Sequence, residues 1–103
     1  MINSELPEPI EFEWDERSQA KSLVKHRITK IEAEEAFFRD KLIQPDQRHS
    51  RTEPRFGMYG QADKGKILFI AFSIRKGRIR IISARPANKK ERETYEKTFK
   101  KAA

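Results

Sequence analysis

With 103 residues, 36% of them hydrophobic and 38% charged, the chain has material for one domain with one sheet and a few helices, and too little for a second core. The absence of cysteine excludes disulfides and the usual thiolate zinc site, while the net charge of +7 favours an acidic or polyanionic partner. The charge is uneven: residues 1–40 carry 6 Lys+Arg against 10 Asp+Glu, and residues 41–103 carry 17 against 6, so the basic surface is expected on the carboxy-terminal sheet and helix.

Residues 1–9 hold Pro7 and Pro9 without an apolar period and read as an irregular lead-in to a single domain over 1–103. They lack the form of a signal peptide, and the longest apolar run, Ile67 to Phe72, is too short to span a bilayer, so the expectation is a soluble, cytoplasmic protein. Ile10, Phe12 and Trp14 alternate with Glu11, Glu13 and Asp15, which predicts a first strand with one apolar face and Trp14 as an anchor. Asp15 is placed to cap a helix in which Ala20, Leu23 and Val24 recur at helical spacing, ending near His26 or Arg27. Thr29 and Glu32 form a capping-box pattern, with Ile28 and Ala33 as its staple and Ala36 and Phe37 as the buried stripe of a second helix.

Lys41 to Pro54 is polar apart from Leu42 and Ile43, which allows a short strand followed by a loop carrying Arg48, His49, Arg51 and Glu53. Arg55 to Gln61 alternates Phe56 and Met58 against Arg55, Gly57 and Tyr59, a strand whose glycines mark a bulge or a close approach of backbone. Asp63, Lys64 and Gly65 supply a turn. Lys66 to Ile74 is apolar on both faces, as in a central strand. A second turn at Lys76 and Gly77 leads into the strand from Arg78, where Ile79 and Ile81 share one face and Arg78 and Arg80 the other. Pro86 ends that strand, and Asn88 with Glu91 reads as the capping box of a last helix with Tyr95, Phe99 and Ala102 on its inner side. The order is strand, two helices, three or four antiparallel strands in a meander, and a helix: an α+β domain.

Cations delivered from a core strand to a helix start suit a phosphate-rich ligand. RNA can be cut without a metal when its own 2′-hydroxyl attacks the adjacent phosphate, given a base, an acid for the leaving group and cations for the developing charge. Arg75, Arg80 and Arg85 lie in or beside one strand, and Arg55 comes from a strand expected to neighbour it in the meander, so the four are candidates for a cationic floor. Strict alternation puts Arg85 on the face opposite Arg80, and both reach one site only if the strand twists or breaks around Ser83 and Ala84. His26 follows Lys25 at a helix end, and a histidine ordinarily titrates at about 6.5, suited to proton exchange. The plainer readings are a solvated basic face for the arginines and a helix-end histidine beside free carbonyls. Glu11, Glu13, Asp15 and Glu16 are explained by strand alternation and capping, so no metal or cofactor is expected.

The stretch FEWDERSQAKSLVKH from Phe12 to His26, the acidic helix containing EEAF, and IRIISAR with ERETY from Ile79 to Tyr95 together resemble the BrnT toxins of bacterial type II toxin–antitoxin systems, over about residues 10 to 97. The resemblance implies a RelE-like α+β fold, a small meander sheet packed by two N-terminal helices and a C-terminal helix. It implies ribonuclease activity that stops translation and neutralisation by a BrnA-type antitoxin with a DNA-binding domain, in a hetero-oligomer, expected to be a heterotetramer, that represses its operon. The positions carried over are Lys25, His26, Arg55, Arg75, Arg80 and Arg85. Where the family usually has glycine after the KH pair this chain has Arg27, which must accept a left-handed conformation or end the helix differently. Ser22 stands where asparagine is common, and Ser73 keeps the hydroxyl of a usual threonine. The competing expectation is a non-catalytic basic module that binds an acidic protein partner or nucleic acid.

Overall fold

The computed structural model describes residues 6–14, 16, 17, 21, 25–46 and 53–99. Among them five strands form one sheet: β1 (Phe12–Trp14), β2 (Lys41–Pro45), β3 (Arg55–Gln61), β4 (Ile67–Arg75) and β5 (Arg78–Pro86), in the order β1-β5-β4-β3-β2. β2 to β5 make the expected antiparallel meander. β1 does not extend it: it lies parallel to β5, with Phe12 opposite Ile79, Glu13 opposite Arg80 and Trp14 opposite Ile81, so the sheet is mixed rather than wholly antiparallel. Side-chain matching accounts for this pairing. Apolar residues meet on one face while Glu11 and Glu13 meet Arg78 and Arg80 on the other, the opposite-charge and apolar cross-strand pairs that stabilise a sheet.

The first face carries the core. Leu68, Ile70 and Phe72 of β4, Ile79 and Ile81 of β5 and Met58 of β3 are fully buried against Ile28, Ala33, Ala36 and Phe37. Phe37 packs edge-on against Phe12 and Phe72, at 5.3 and 5.1 Å between ring centres. The covering segment is a helix at Lys30–Glu35 that runs on into a 3-10 turn at Ala36–Phe38. It starts as the sequence demands: Thr29 Oγ1 accepts from the Glu32 N–H at 3.1 Å, and the Thr29 N–H donates to Glu32 Oε1 at 3.0 Å. Gly60 lets this segment sit close, since a Cβ there would lie 2.9 Å from that of Ala36.

Of the helix expected after β1, the described residues Glu16, Arg17, Lys21, Lys25 and His26 are helical; Asp15, Ala20, Leu23 and Val24 lie outside the described residues, and so does the packing expected of that helix. The chain leaves it through Arg27, whose φ of +56° is left-handed. Arg27 therefore takes the strained alternative that a glycine would relieve.

The second face is covered at one end by the helix Lys89–Phe99, whose Tyr95 is buried with Ile67 and Ala87 and flanked by Tyr59 and Phe99. The Tyr95 hydroxyl donates to the Asp40 carbonyl at 2.8 Å. Burial, then the nearby Asp40 charge, holds that phenol above its ordinary pKa. No described helix is long and apolar enough to cross a membrane.

Candidate functional site

The register of the sheet decides which side chains share the second face. From one end to the other its cross-strand rows are Leu42–Tyr59–Phe69–Arg85, Gln44–Gly57–Ala71–Ser83, then Arg55–Ser73–Arg80–Glu13, and finally Arg75 opposite Arg78 at the hairpin. Directly opposed residues point to the same side of a sheet. Arg55, Arg75, Arg80 and Arg85 therefore stand on one face.

For Arg85 this depends on a break in alternation. Ala71 pairs with Ser83 but the next residue, Phe72, pairs with Ile81, so Ile82 is an extra residue in β5. Such a bulge advances the strand by one residue and exchanges the faces beyond it. Ala84 is thereby buried on the core face and Arg85 joins Arg80 on the other.

The centre of the face is the row through Ser73. Ser73 is 1% exposed, and its hydroxyl donates to Glu53 Oε1 at 2.9 Å. Arg80 lies between two carboxylates, its Nη1 3.7 Å from Glu53 Oε1 and its Nε 4.0 Å from Glu13 Oε2. These longer separations, with side chains about 30% exposed, make a loose polar cluster rather than tight forks. Arg75 and Arg78 are exposed beside it, joined by the two-residue turn of Lys76 (φ +52°) and Gly77 (φ +76°), the paired positive φ values of a hairpin turn whose twist matches its strands.

Arg85 is held differently. Its Nη1 and Nη2 donate to Glu91 Oε1 and Oε2 at 2.8 and 2.9 Å, and its Cζ sits 4.5 Å from the centre of the Phe69 ring. Glu91 Oε1 also accepts from the Asn88 N–H, and Asn88 Oδ1 from the Glu91 N–H, each at 2.8 Å. The fork thus fastens the capped start of the last helix to the sheet. The hydrogen bonds from Arg85, ahead of that from Asn88, hold the Glu91 carboxyl below its ordinary pKa and raise the guanidinium's further.

Lys25 and His26 are not brought into this face by any described contact. They immediately precede Arg27 and Ile28, and Ile28 is buried in the core-face cluster, so the chain there enters the opposite layer. Arg48, His49 and Arg51 lie outside the described residues. Glu53 is the member that sequence reasoning passed over, as one polar residue in a loop. Its only sequence signal is its place two residues before Arg55, and it takes on meaning once Ser73 and Arg80 are seen to converge on it.

Next to the central row, between β2, β3 and the last helix, is a cavity of about 210 Å³. Leu42, Gln44, Gly57, Tyr59, Phe69 and Thr94 line it. Gly57 leaves it open, because a Cβ there would stand 3.2 Å from Phe69 Cε1.

Residues 14–91 match the family model described as ribonuclease toxin, BrnT, of type II toxin–antitoxin system. Among solved structures, the fold is similar to the crystal structure of the Brucella abortus ribonuclease toxin BrnT, with a TM-score of 0.60 over 78% of this chain and 99% of that one, at 18% sequence identity. No curated protein matches significantly.

Proposed function

The chain belongs to the BrnT family of ribonuclease toxins of type II toxin–antitoxin systems, and from that premise we propose that it cuts RNA without a metal on the arginine face of its sheet. The observation that carries the reading is the row Arg55–Ser73–Arg80, with Glu53 contacting Ser73 and Arg80 and with Arg75 and Arg78 at its open end. Glu53 takes the proton of the 2′-hydroxyl, whose oxygen bonds to the adjacent phosphorus. Arg55 and Arg80 stabilise the charge that develops on the non-bridging oxygens, and Arg75 holds a flanking phosphate. The bond from phosphorus to the 5′-oxygen breaks, leaving a 2′,3′-cyclic phosphate. The leaving oxygen takes its proton from solvent, since the described contacts leave Lys25 and His26 on the side of the core-face cluster. Arg85, with both outer nitrogens on Glu91, positions the helix that borders the site.

In this reading the fold is a RelE-like one, and cleavage in the cytoplasm stops translation. A BrnA-type antitoxin neutralises the toxin in a hetero-oligomer, a heterotetramer, and brings operator DNA to the complex. Family membership supports the toxin–antitoxin pairing; the face described above supports the chemistry.

The test is cleavage of an RNA oligonucleotide by purified chain in excess chelator. Cleavage with a cyclic phosphate end is the expected result, and Arg80→Gln and Glu53→Gln each lower kcat/KM by roughly 10²–10³, the loss for one group acting on transition-state charge or proton transfer. Intact RNA under these conditions with a folded chain overturns the mechanism in favour of a non-catalytic basic module. Lys25→Gln and His26→Gln test the pair that the family resemblance implied: unchanged kcat in both is expected, and a lowered kcat in either folded variant would bring that residue into the site.

A further inference from the structure

We infer that the cavity between β2, β3 and the last helix is a subsite for one base of the RNA, so that the chain selects where it cuts; this rests on the nuclease reading above. The position, lining and size of the cavity support it. The cavity opens on the same face as the arginine row, because Gly57 at its floor is two residues from Arg55 along β3, about 7 Å at strand spacing. A chain whose phosphate lies on Arg55 and Arg80 can therefore set a neighbouring base into it.

Its lining holds two aromatic rings, Tyr59 and Phe69, beside Leu42, Pro45 and the acidic Asp46. Tyr59 and Phe69 are cross-strand partners with ring centres 6.0 Å apart, and Arg85 covers Phe69. Aromatic side chains beside a cationic track are how proteins hold the bases of single-stranded RNA. Its size also fits: pockets for drug-sized ligands run from about 300 to 1,000 Å³, and 210 Å³ suits one planar ring system. The Gln44 amide, opposite Gly57 in the register, adds both a donor and an acceptor at the rim, where an unmatched base edge is penalised.

The absence of a side chain at Gly57 has its reason here as well. Any larger residue would place atoms on the floor of the cavity and against Phe69.

The experiment combines substrate and protein changes. RNA oligonucleotides carrying an abasic ribose at each position around the cut in turn are compared with intact RNA, using wild type and Thr94→Trp, an exposed helix position whose indole fills the cavity. One abasic position is expected to lower kcat/KM roughly 10- to 100-fold, the worth of one stacked base, and Thr94→Trp to cause a similar loss on intact RNA. The two losses do not multiply when combined. Losses that multiply, or no sensitive position at all while RNA is still cut, overturn the subsite and leave the nuclease standing.

A readout independent of cleavage uses the free chain. Nucleoside 5′-monophosphates are expected to shift the amide resonances of Gly57 and Thr94 in wild type, and ribose 5-phosphate to leave them in place. Equal shifts by both probes, or none by either, overturn the subsite whether or not RNA is cut. Base-dependent shifts in a chain that leaves RNA intact would retain the base site and remove the catalytic reading instead.

Discussion

Breaking the fork between Arg85 and Glu91 tests whether this arginine is part of the scaffold or of the chemistry. Glu91 accepts both outer nitrogens of Arg85 at 2.8 and 2.9 Å and the Asn88 N–H at 2.8 Å, with its side chain 13% exposed and that of Arg85 37%. Exposed pairs couple by about 0–1 kcal/mol, and removing one member of a buried pair costs about 3–5 kcal/mol. With one partner largely buried and the other open to solvent screening, a double-mutant cycle of Arg85→Ala and Glu91→Ala is expected to give a coupling of about 1–2 kcal/mol. Glu91→Ala also loses its half of the capping box, so the single change costs about 2–3 kcal/mol in all, and Arg85→Ala loses in addition about 0.5–1 kcal/mol from its stacking on Phe69.

The pH dependence has a defined sign. The folded carboxyl is held below its ordinary value of 4.5, so its contribution is complete above that value and fades as pH falls through the lower folded pKa. Urea unfolding followed by circular dichroism at pH 7 and pH 3 measures both quantities. A coupling below about 0.3 kcal/mol at pH 7, within the error of independent sites, or one that grows on acidification, refutes the assignment. If the fork only positions the helix, Arg85→Ala loses RNA cleavage in step with unfolding and recovers it under stabilising conditions. Loss of kcat in a fully folded variant would move Arg85 into the catalytic site.

Other perturbations follow from backbone conformation and close packing. Arg27→Gly relieves a φ of +56° and is expected to raise stability by about 1 kcal/mol, a rise in Tm of roughly 4–8 °C; no rise in a thermal melt would count against the strain. Gly77→Ala, at φ +76° with open space around its Cβ, is expected to cost about 1–2 kcal/mol by conformation alone, read as a lower urea midpoint at constant m value. Gly60→Ala brings a Cβ to 2.9 Å from that of Ala36 and is expected to cost about 1–3 kcal/mol by overpacking; the pair Gly60→Ala with Ala36→Gly should recover part of it. Trp14→Phe removes the indole donor to Glu34 Oε2 at 2.8 Å and is expected to cost about 1 kcal/mol, whereas an unchanged urea midpoint would mean that water replaces that bond without loss.

The sequence by itself determined the local pieces. Alternation located β1, β3 and β5, a run apolar on both faces located β4, Thr29–Glu32 and Asn88–Glu91 announced two helix starts, and glycine with its neighbours marked the turns, because each of these signals is set by residues a few positions apart. It also supplied the family, through motifs read in order along the chain. What only the tertiary structure decided depends on partners remote in sequence. The parallel docking of β1 on β5 needs Glu11 and Glu13 to meet Arg78 and Arg80, which no local rule announces. The common face of Arg80 and Arg85 depends on the extra residue Ile82, and a one-residue slip in a period of two reverses every side chain beyond it. Glu53 was indistinct as a loop residue and gains its place only where β4 and β5 bring Ser73 and Arg80 to it. A guanidinium has the same charge wherever it stands, so sequence could count the cations; register and distance determined that Arg55, Arg75, Arg80 and Arg85 share a face, with Arg80 beside Glu13 and Glu53 and Arg85 forked onto Glu91.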